Sequence, residues 1–297
     1  CGFCTATCPT YQLLGDELDG PRGRIYLIKQ VLEGGPVTAK TQLHLDRCLT
    51  CRSCETTCPS GVQYGRLVDI GRRIVEDRVG RSPGEAARRW SLRKGLQSKV
   101  LFGGALALGR IAKAFVPAEL ARGIPASRRA GAWPSPRHGR RMLVVEGCVQ
   151  PSIAPSIDAA LARVLDRVGV SLVRVPGGGC CGALPLHLNE NDEAQAMARA
   201  NVDAWWPHVE AGAEAIVVTA SGCGVLVKDY GHLLARDPAY AAKAARVAAL
   251  ARDTIEVVAP EWKKIAPLVA MDQGPKRVAF HPPCALQHGM KIRGEVE

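Results

Sequence analysis

The chain has 297 residues, of which 47% are hydrophobic and 23% are charged. This balance is typical of a globular protein with room for two or three domains, and it excludes disordered and fibrous chains. The net charge of +11 is compatible with an acidic partner, such as nucleic acid, an anionic membrane or an acidic protein. Charge alone does not distinguish among these partners. Twelve cysteines are unusually many for a chain of this length. Their spacing must therefore show what they do.

The cysteines near the N-terminus form a repeat. A complete C-x2-C-x2-C-x3-C-P motif spans residues 48–59 and contains Cys48, Cys51, Cys54 and Cys58. An incomplete copy lies 50 residues earlier and contains Cys1, Cys4 and Cys8. The counterpart of Cys48 would precede the first residue, and we therefore expect the N-terminus to be truncated within a cluster motif.

This cysteine spacing is typical of two-cluster ferredoxins. Three thiolates on a tight loop bind one [4Fe–4S] cluster, and the fourth, before proline, binds the cluster of the other copy. The predicted ligands are Cys1, Cys4 and Cys58 for cluster one, and Cys48, Cys51, Cys54 and Cys8 for cluster two. Zinc is disfavoured because a tetrahedral site has no use for the third cysteine of each motif. Disulfides are disfavoured because cysteines two residues apart make a poor framework.

A helix is predicted after each motif. Residues 20–35 have Pro21 near their start, carry apolar residues at helical spacing and end in two glycines, and residues 64–78 repeat the apolar pattern. Two such loop-and-helix units predict a helical double [4Fe–4S] ferredoxin-like domain over residues 1–80.

Residues 81–140 are predicted to form a basic helical segment and linker. They are rich in arginine and contain only two acids, Glu85 and Glu119. The first part has helical spacing, and the second is rich in proline and glycine. The segment is either a solvated connector or a surface that binds a membrane or an acidic partner subunit. Nucleic-acid binding is not expected, because few aromatic residues are available for stacking.

Strands alternate with helices after residue 141, which predicts an α/β domain with a parallel sheet. We predict a first cysteine-rich domain at 141–235 and a helical connector at 236–275. Residues 276–287 repeat the layout of 140–151, a basic pair, a strand and a cysteine. Residues 276–297 are therefore interpreted as the start of a second, C-terminally truncated copy.

The remaining cysteines follow the predicted strands. They are Cys148, Cys180, Cys181, Cys223 and, in the second copy, Cys284. Because the carboxyl ends of parallel strands meet at one edge of a sheet, we expect the first four to share a metal or redox site, although buried cysteines can also serve as small apolar residues. Gly177, Gly179 and Gly182 match the dinucleotide fingerprint, but Pro185 interrupts the helix that this fingerprint requires.

Taken together, these motifs resemble the iron–sulfur subunit of glycolate oxidase. They are similar more broadly to subunits of anaerobic glycerol-3-phosphate dehydrogenase, lactate-utilisation enzymes and heterodisulfide reductase. The resemblance is carried by "CTATCPTYQLLGDELDGPRGRIYLIKQVLEG", "HLDRCLTCRSCETTCPSGVQYGRLVDIGR" and "CCGALPLH".

The resemblance implies an electron-transfer subunit with no catalytic residues of its own. FAD-containing partner subunits would oxidise the 2-hydroxy acid, and this chain would pass the electrons through two [4Fe–4S] clusters toward a membrane quinone or equivalent acceptor. The expected location is the cytoplasm, peripheral to the inner membrane. By analogy with heterodisulfide reductase, the later cysteines are candidate ligands of a further cluster. The alternatives are a thiol–disulfide (heterodisulfide) reductase subunit, or the iron–sulfur subunit of an anaerobic glycerol-3-phosphate or lactate dehydrogenase.

Overall fold

The computed structural model describes residues 1–269, 277 and 279–296. Its contacts divide the chain into two compact units. The first unit comprises Cys1–Trp90, Pro185–Asn191 and Pro282–Arg293, and the second comprises the other residues as far as they are described. Within the described ranges, no helix combines the length and apolar character needed to cross a bilayer.

The first unit is helical. Its N-terminal segment contains α1 Phe3–Ala6, α2 Pro9–Leu14, α3 Pro21–Leu32, α4 Ala39–Asp46, α5 Ser53–Thr57 and α6 Tyr64–Val79. A 3₁₀ turn covers Glu17–Asp19, and a π-helical turn covers Ala285–Gly289. The helices predicted after the two motifs correspond to α3 and α6. Pro21 occupies the first turn of α3, where its missing N–H costs nothing.

Helices α3 and α6 pack closely against each other. Ile28 and Val31 of α3 are buried together with Leu45 of α4 and Val75 of α6. The close approach depends on Gly71 of α6, because a Cβ at that position would lie 2.5 Å from the Ile28 side chain. This packing supports both cysteine loops, since α3 follows the first loop and α6 follows the second.

The second unit contains the sheet. Helix α7, Pro83–Gln97, begins in the first unit and ends in the second. The elements after it are, in chain order, α8 Lys99–Ala112, α9 Ala118–Gly123, β1 Arg140–Val144, α10 Gln150–Ile153, α11 Ser156–Arg167, β2 Val170–Arg174, α12 Ala183–His187, α13 Asn191–Glu210, β3 Ile216–Val218, α14 Ser221–Lys228, α15 Tyr230–Leu233, α16 Ala241–Leu250, β4 Ala251–Asp253, α17 Thr254–Val258 and α18 Trp262–Ile265. Two 3₁₀ turns cover Ala259–Glu261 and Ala266–Leu268.

Among the described residues, the sheet has four parallel strands in the order β2-β1-β3-β4. Met142↔Leu172 aligns β1 with β2, and Val144↔Val217 aligns β1 with β3. The strands bury residues such as Val170 and Val217 against α11. The chain adds β2 on one side of β1 and β3 on the other, so the winding of the sheet changes direction between β1 and β3. In open parallel sheets, ligand sites form at such a point, beyond the carboxyl ends of the strands. The predicted α/β domain with a parallel sheet is confirmed.

The sheet also includes a strand that was not predicted. Residues 236–275 were expected to be a helical connector, yet β4 lies within them and pairs parallel with β3 through Ile216↔Ala251. Three residues directly after the alanine-rich α16 are too few to show an alternating pattern.

The predicted strand before Cys284 lies partly outside the described residues. Residues 276 and 278 lie outside the described part of the chain, and residues 279–283 form no regular element. Cys284 instead caps the π-helical turn of Ala285–Gly289.

Candidate metal centres

The two cysteine motifs repeat in backbone geometry as well as in sequence. Helices α1 and α5 are short, and each begins after a left-handed residue, Gly2 at φ 90° and Arg52 at φ 60°. Cys8 has φ −87° and ψ 113°, while Cys58 has φ −78° and ψ 114°. The two loops therefore present their cysteines in the same way, and the structural repeat matches the 50-residue repeat in the sequence.

One cavity collects four thiols from both motifs. Cys8 of the first motif lines it together with Cys48, Cys51 and Cys54 of the second. Cys8 and Cys54 are buried, and Cys48 and Cys51 are half-buried. A [4Fe–4S] cluster takes four thiolates, and this set of residues fits one. It is also the set predicted for cluster two, including the cysteine that crosses over from the other motif.

A second cavity collects the other predicted set. Cys1, Cys4 and Cys58 line it, and Cys54 contributes to its wall as well as to that of the first cavity. The shared wall places the two cavities next to each other within the first unit. The three thiols fit the cysteine part of a second cluster site.

The backbone around Cys51 bends unusually. Thr50 and Arg52 on either side of it both have positive φ values, 51° and 60°, which side chains other than glycine rarely adopt. The Thr50 N–H points at the Cys48 sulfur, with N and Sγ 3.4 Å apart. Such bends gather backbone N–H groups around an anion, and they are a recurring feature of iron–sulfur sites.

Two polar side chains that the sequence analysis did not single out support the Cys48 loop. Tyr64 is buried, and its hydroxyl donates to the Cys48 sulfur over 3.5 Å. Arg72 is also buried, and its guanidinium donates to the carbonyls of Leu45 and Cys48 over 2.9 and 2.6 Å. Arg72 thus brings a positive charge close to this cavity through its bonds to main-chain carbonyls.

A buried ionic network lies behind Cys8. Asp19 is fully buried and pairs with Arg24 at 3.4 Å and with Arg47 at 2.8 Å. Arg24 donates to the hydroxyl of Thr10, which lies 3.2 Å from the Cys8 sulfur. Although burial acts to raise the pKa of Asp19, hydrogen bonds from His44 and Arg47 hold it below its ordinary value. The network thus fixes the wall of the cavity with a charged carboxylate and two guanidinium groups.

The thiols of the first unit differ in acidity. Burial raises the pKa of both Cys51 and Cys54. Backbone N–H groups near Val62 and Ser60 lower the pKa of Cys58, which is half-buried. Since a buried thiolate needs a nearby positive charge, iron binding would supply what the protein alone does not offer Cys51 and Cys54.

Four thiols also meet in the second unit. Cys148 contacts Cys180 through a side-chain hydrogen bond, Cys180 contacts Cys181, and Cys181 contacts Cys223. These residues follow β1, β2 and β3, and they lie at the carboxyl edge of the sheet as the sequence predicts. The quartet is the expected candidate site of the cysteine-rich domain.

The loop that carries Cys180 and Cys181 is held from beneath by buried polar groups. Asn201 accepts from the Gly179 N–H at 2.8 Å and donates to the Cys180 carbonyl at 2.9 Å. Tyr230 donates to the Cys181 carbonyl at 2.7 Å. Sequence reasoning missed both residues, because nothing in the local pattern of α13 or α15 sets them apart from other core positions.

The glycines of this loop serve packing. A Cβ on Gly178 would lie 3.0 Å from the indole nitrogen of Trp205, and one on Gly182 would lie 3.0 Å from the Ala194 carbonyl oxygen. Gly182 is also one of the three glycines that match the dinucleotide fingerprint. In the structure, Gly178 and Gly182 let the loop lie directly on α13.

Burial and mutual hydrogen bonding raise the pKa of three thiols of the quartet, those of Cys148, Cys180 and Cys181. Although the hydrogen bond with Cys148 lowers the pKa of Cys180, the hydrogen bond with Cys181 and burial together raise it to about 11. The pKa of Cys148 is also raised, by its hydrogen bond to Cys180 and then by burial. Nucleophilic cysteines need a lowered pKa, so as free thiols these residues would react slowly at neutral pH.

Cys284 is not in the compact unit that holds the quartet. It is exposed and lies in the first unit, where its charge contributes to the raised pKa of Cys51. The following turn is fixed by His288, whose Nδ1 lies 2.7 Å from the Thr56 hydroxyl. Cys284 is therefore brought toward the second-motif loop.

Comparisons with known proteins agree with both cysteine-rich regions. Residues 1–63 match the family of 4Fe-4S dicluster domains, and residues 142–228 match a family described as the cysteine-rich domain, CCG. These matches support iron–sulfur clusters in the first region and an electron-transfer role for the chain. No solved structure matches the chain.

Several curated proteins are similar over most of the chain. The glycolate oxidase iron-sulfur subunit of Escherichia coli is 55% identical, over 100% of this chain and 72% of its own length. The probable glycolate oxidase iron-sulfur subunit of Bacillus subtilis is 32% identical, over 82% of this chain and 61% of its own length. A subunit of the dihydromethanophenazine:CoB–CoM heterodisulfide reductase of Methanosarcina barkeri is 22% identical, over 96% of this chain and 67% of its own length. The chain belongs to the family of glycolate oxidase iron–sulfur subunits.

Proposed function

We propose that this chain is the electron-transfer subunit of a glycolate (2-hydroxy acid) oxidase. It takes electrons from FAD-containing subunits, which oxidise the acid, and delivers them to a membrane quinone or an equivalent acceptor. It works in the cytoplasm, at the surface of the inner membrane. The observation that carries this proposal is the pair of adjacent cavities, lined by Cys8, Cys48, Cys51 and Cys54 and by Cys1, Cys4 and Cys58.

The chain's own residues hold and insulate the carriers. [4Fe–4S] clusters supply single-electron carriers when they are bound. The thiols of Cys8 and Cys54 are buried, which keeps water from that part of the site. Tyr64 directs its hydroxyl at the Cys48 sulfur, and Arg72 holds the carbonyl of the same residue. The position of Cys54 in both walls keeps the electron path short within one unit.

Glycolate is proposed as the substrate of the assembled enzyme on the strength of family membership. The E. coli and B. subtilis relatives both carry glycolate oxidase in their names. This chain spans 72% and 61% of their lengths, so the activity of the assembled enzyme is inferred from proteins that are longer than this chain. Lactate and glycerol 3-phosphate are the competing substrates, and they call for a direct comparison.

Thiol–disulfide reduction is the competing chemistry for the quartet of Cys148, Cys180, Cys181 and Cys223. The weak acidity of Cys180 argues against it, because the pKa of this thiol is raised to about 11. A reductase would require a thiolate at neutral pH. We therefore propose a metal site for the quartet, with its thiolates stabilised by the bound cation.

The test is electron transfer between purified components without oxygen. The cluster-loaded chain is mixed with FAD-containing glycolate oxidase subunits and glycolate, and electron paramagnetic resonance follows the appearance of reduced clusters. Reduction within the time of flavin turnover supports the proposal, and a Cys51→Ser variant should be reduced to a smaller extent. Clusters that stay oxidised while the flavin subunits reduce a quinone unaided would contradict it. Lactate in place of glycolate identifies the preferred acid.

A further inference from the structure

Helix α8 exposes an apolar face to solvent. Val100, Leu108 and Ile111 are 83%, 67% and 72% exposed, and Phe115, just beyond the helix, is 87% exposed. At 3.6 residues per turn, these positions fall within about a quarter of the helix circumference. A set of large apolar side chains on one helix face is a feature that folded proteins normally bury, and it marks an interaction site when it is left open.

The opposite side of α8 is attached to the protein. Arg110 donates to the carbonyls of Pro125 and Ser152, over 3.0 and 3.3 Å. Lys113 donates to the Ile124 carbonyl over 3.2 Å. These bonds hold α8 by its polar side, and they leave the apolar face directed outward.

The surroundings of the apolar face are basic. Residues 99–129 contain six lysines and arginines and a single acid, Glu119. That acid is already engaged by Arg122 at 3.6 Å. Arg128 and Arg129 are exposed. Outside this segment, Glu146 pairs with Lys99 at 3.4 Å. An exposed apolar helix face in a segment with a clear excess of cations matches the interface of an anionic bilayer, where acyl chains lie beneath phosphate groups.

The dimensions of α8 suit a helix that lies on a bilayer. Its 14 residues extend over about 21 Å, against a hydrocarbon thickness of about 30 Å. We propose that the outer face of α8, together with Phe115 and the flanking cations, docks this chain on an anionic lipid surface. This proposal rests on the proposed delivery of electrons to a membrane quinone, since it identifies the surface that brings the chain to the membrane.

Vesicle co-sedimentation tests the proposal with the full, cluster-loaded chain. Vesicles containing phosphatidylglycerol are compared with vesicles of phosphatidylcholine alone. The unaltered chain should sediment with the anionic vesicles, and a Leu108→Ser/Phe115→Ser variant should bind them at least about tenfold more weakly, because two buried side chains are lost from the interface. An Arg128→Gln/Arg129→Gln variant should also bind more weakly, with less dependence on salt.

The matched control is Leu13→Ser/Ile70→Ser, which removes exposed apolar side chains from the first unit. It should bind vesicles like the unaltered chain. The proposal is overturned if the unaltered chain does not sediment, or if the α8 variant binds equally well. It is also overturned if the α8 variant loses only its association with the flavin subunits. Iron content measured on the same samples shows whether the clusters are bound, whatever the result with vesicles. Failure of docking and failure of the proposed function can therefore be told apart.

Discussion

Tyr230 donates a hydrogen bond from its hydroxyl to the main-chain carbonyl of Cys181, with the two oxygens 2.7 Å apart. The same hydroxyl accepts from Asn201, which in turn donates to the carbonyl of Cys180. Tyr230 is fully buried and its ring stacks on that of Trp205. Two adjacent cysteines of the quartet are thus positioned through their backbone by one buried polar network.

Replacing Tyr230 should therefore loosen the quartet. Tyr230→Phe leaves the Cys181 carbonyl without its donor, which should lower the free energy of unfolding by about 1–3 kcal/mol. It should also speed the reaction of a thiol reagent with Cys181, which is 2% exposed. Thermal unfolding and thiol titration measure the two effects. Tyr240→Phe, which removes only an exposed bond to Asp203, is the control, and equal behaviour of the two variants would contradict the assigned role.

The close contact between Gly71 and Ile28 should limit which side chains position 71 of α6 tolerates. Gly71→Ala places a methyl group within 2.5 Å of the Ile28 side chain and should destabilise the first unit by about 1–3 kcal/mol. Gly95→Ala in α7 meets nothing within 4 Å, and it should be neutral or stabilise the chain by up to about 1 kcal/mol. Denaturant unfolding of both variants checks the prediction. A stabilised Gly71→Ala variant would show that the two helices can move apart at little cost.

The buried charge of Arg72 should raise the reduction potential of the nearby cluster. The reduced cluster is the more negative form, and a guanidinium close to Cys48 favours it. Arg72→Met should lower the potential by on the order of 59 mV, a tenfold change for one electron. Redox titration followed by electron paramagnetic resonance measures the shift. Arg72→Lys keeps the charge, so a similar fall in both variants would assign the effect to lost packing instead.

Arg81 should make the first unit sensitive to acid. Although burial acts to raise the pKa of Glu76, the hydrogen bonds and charge of Arg81 lower it below its ordinary value of 4.5. Because the folded-state pKa is the lower one, the stabilisation is fully present above the unfolded-state pKa and is lost as the pH falls through the folded-state value. Arg81→Met should cost about 2 kcal/mol at neutral pH and flatten the loss of stability below about pH 4.5.

Unfolding measured between neutral and acidic pH tests this prediction. Arg122→Met is the control, because Arg122 and Glu119 form an exposed pair in which both side chains are more than three-quarters accessible. Parallel pH profiles for the unaltered chain and Arg81→Met would contradict the role of Arg81. The same profiles should show no change for Arg122→Met.

The two sets of cluster ligands could be predicted from the sequence because each motif lies within a short stretch of the chain. Three thiols within seven residues already define a loop that can bind one cluster, and the proline after Cys8 and Cys58 marks the ligand that crosses over. The helices that follow carry clear apolar periodicity, so α3 and α6 were also predictable. The ligand assignments themselves remain predictions, which the cavities support geometrically.

Other features depend on tertiary contacts that no local pattern shows. Arg72 lies on α6 among other arginines, and only its hydrogen bonds to Leu45 and Cys48 distinguish it. Strand β4 is three residues long and exists because β3 offers it a partner. Cys284 repeats the sequence context of Cys148, yet it lies in the other compact unit.

The most direct test measures iron, acid-labile sulfide and the electron paramagnetic resonance spectrum of the chain reconstituted without oxygen. About four irons and four sulfides should depend on the complete set of Cys8, Cys48, Cys51 and Cys54, and the reduced sample should show a cubane signal. Cys51→Ser should diminish that signal, whereas Cys148→Ser should leave it intact. Zinc without sulfide, or a cubane signal that survives loss of Cys51 but not of Cys148, would contradict an electron relay built on the two N-terminal motifs.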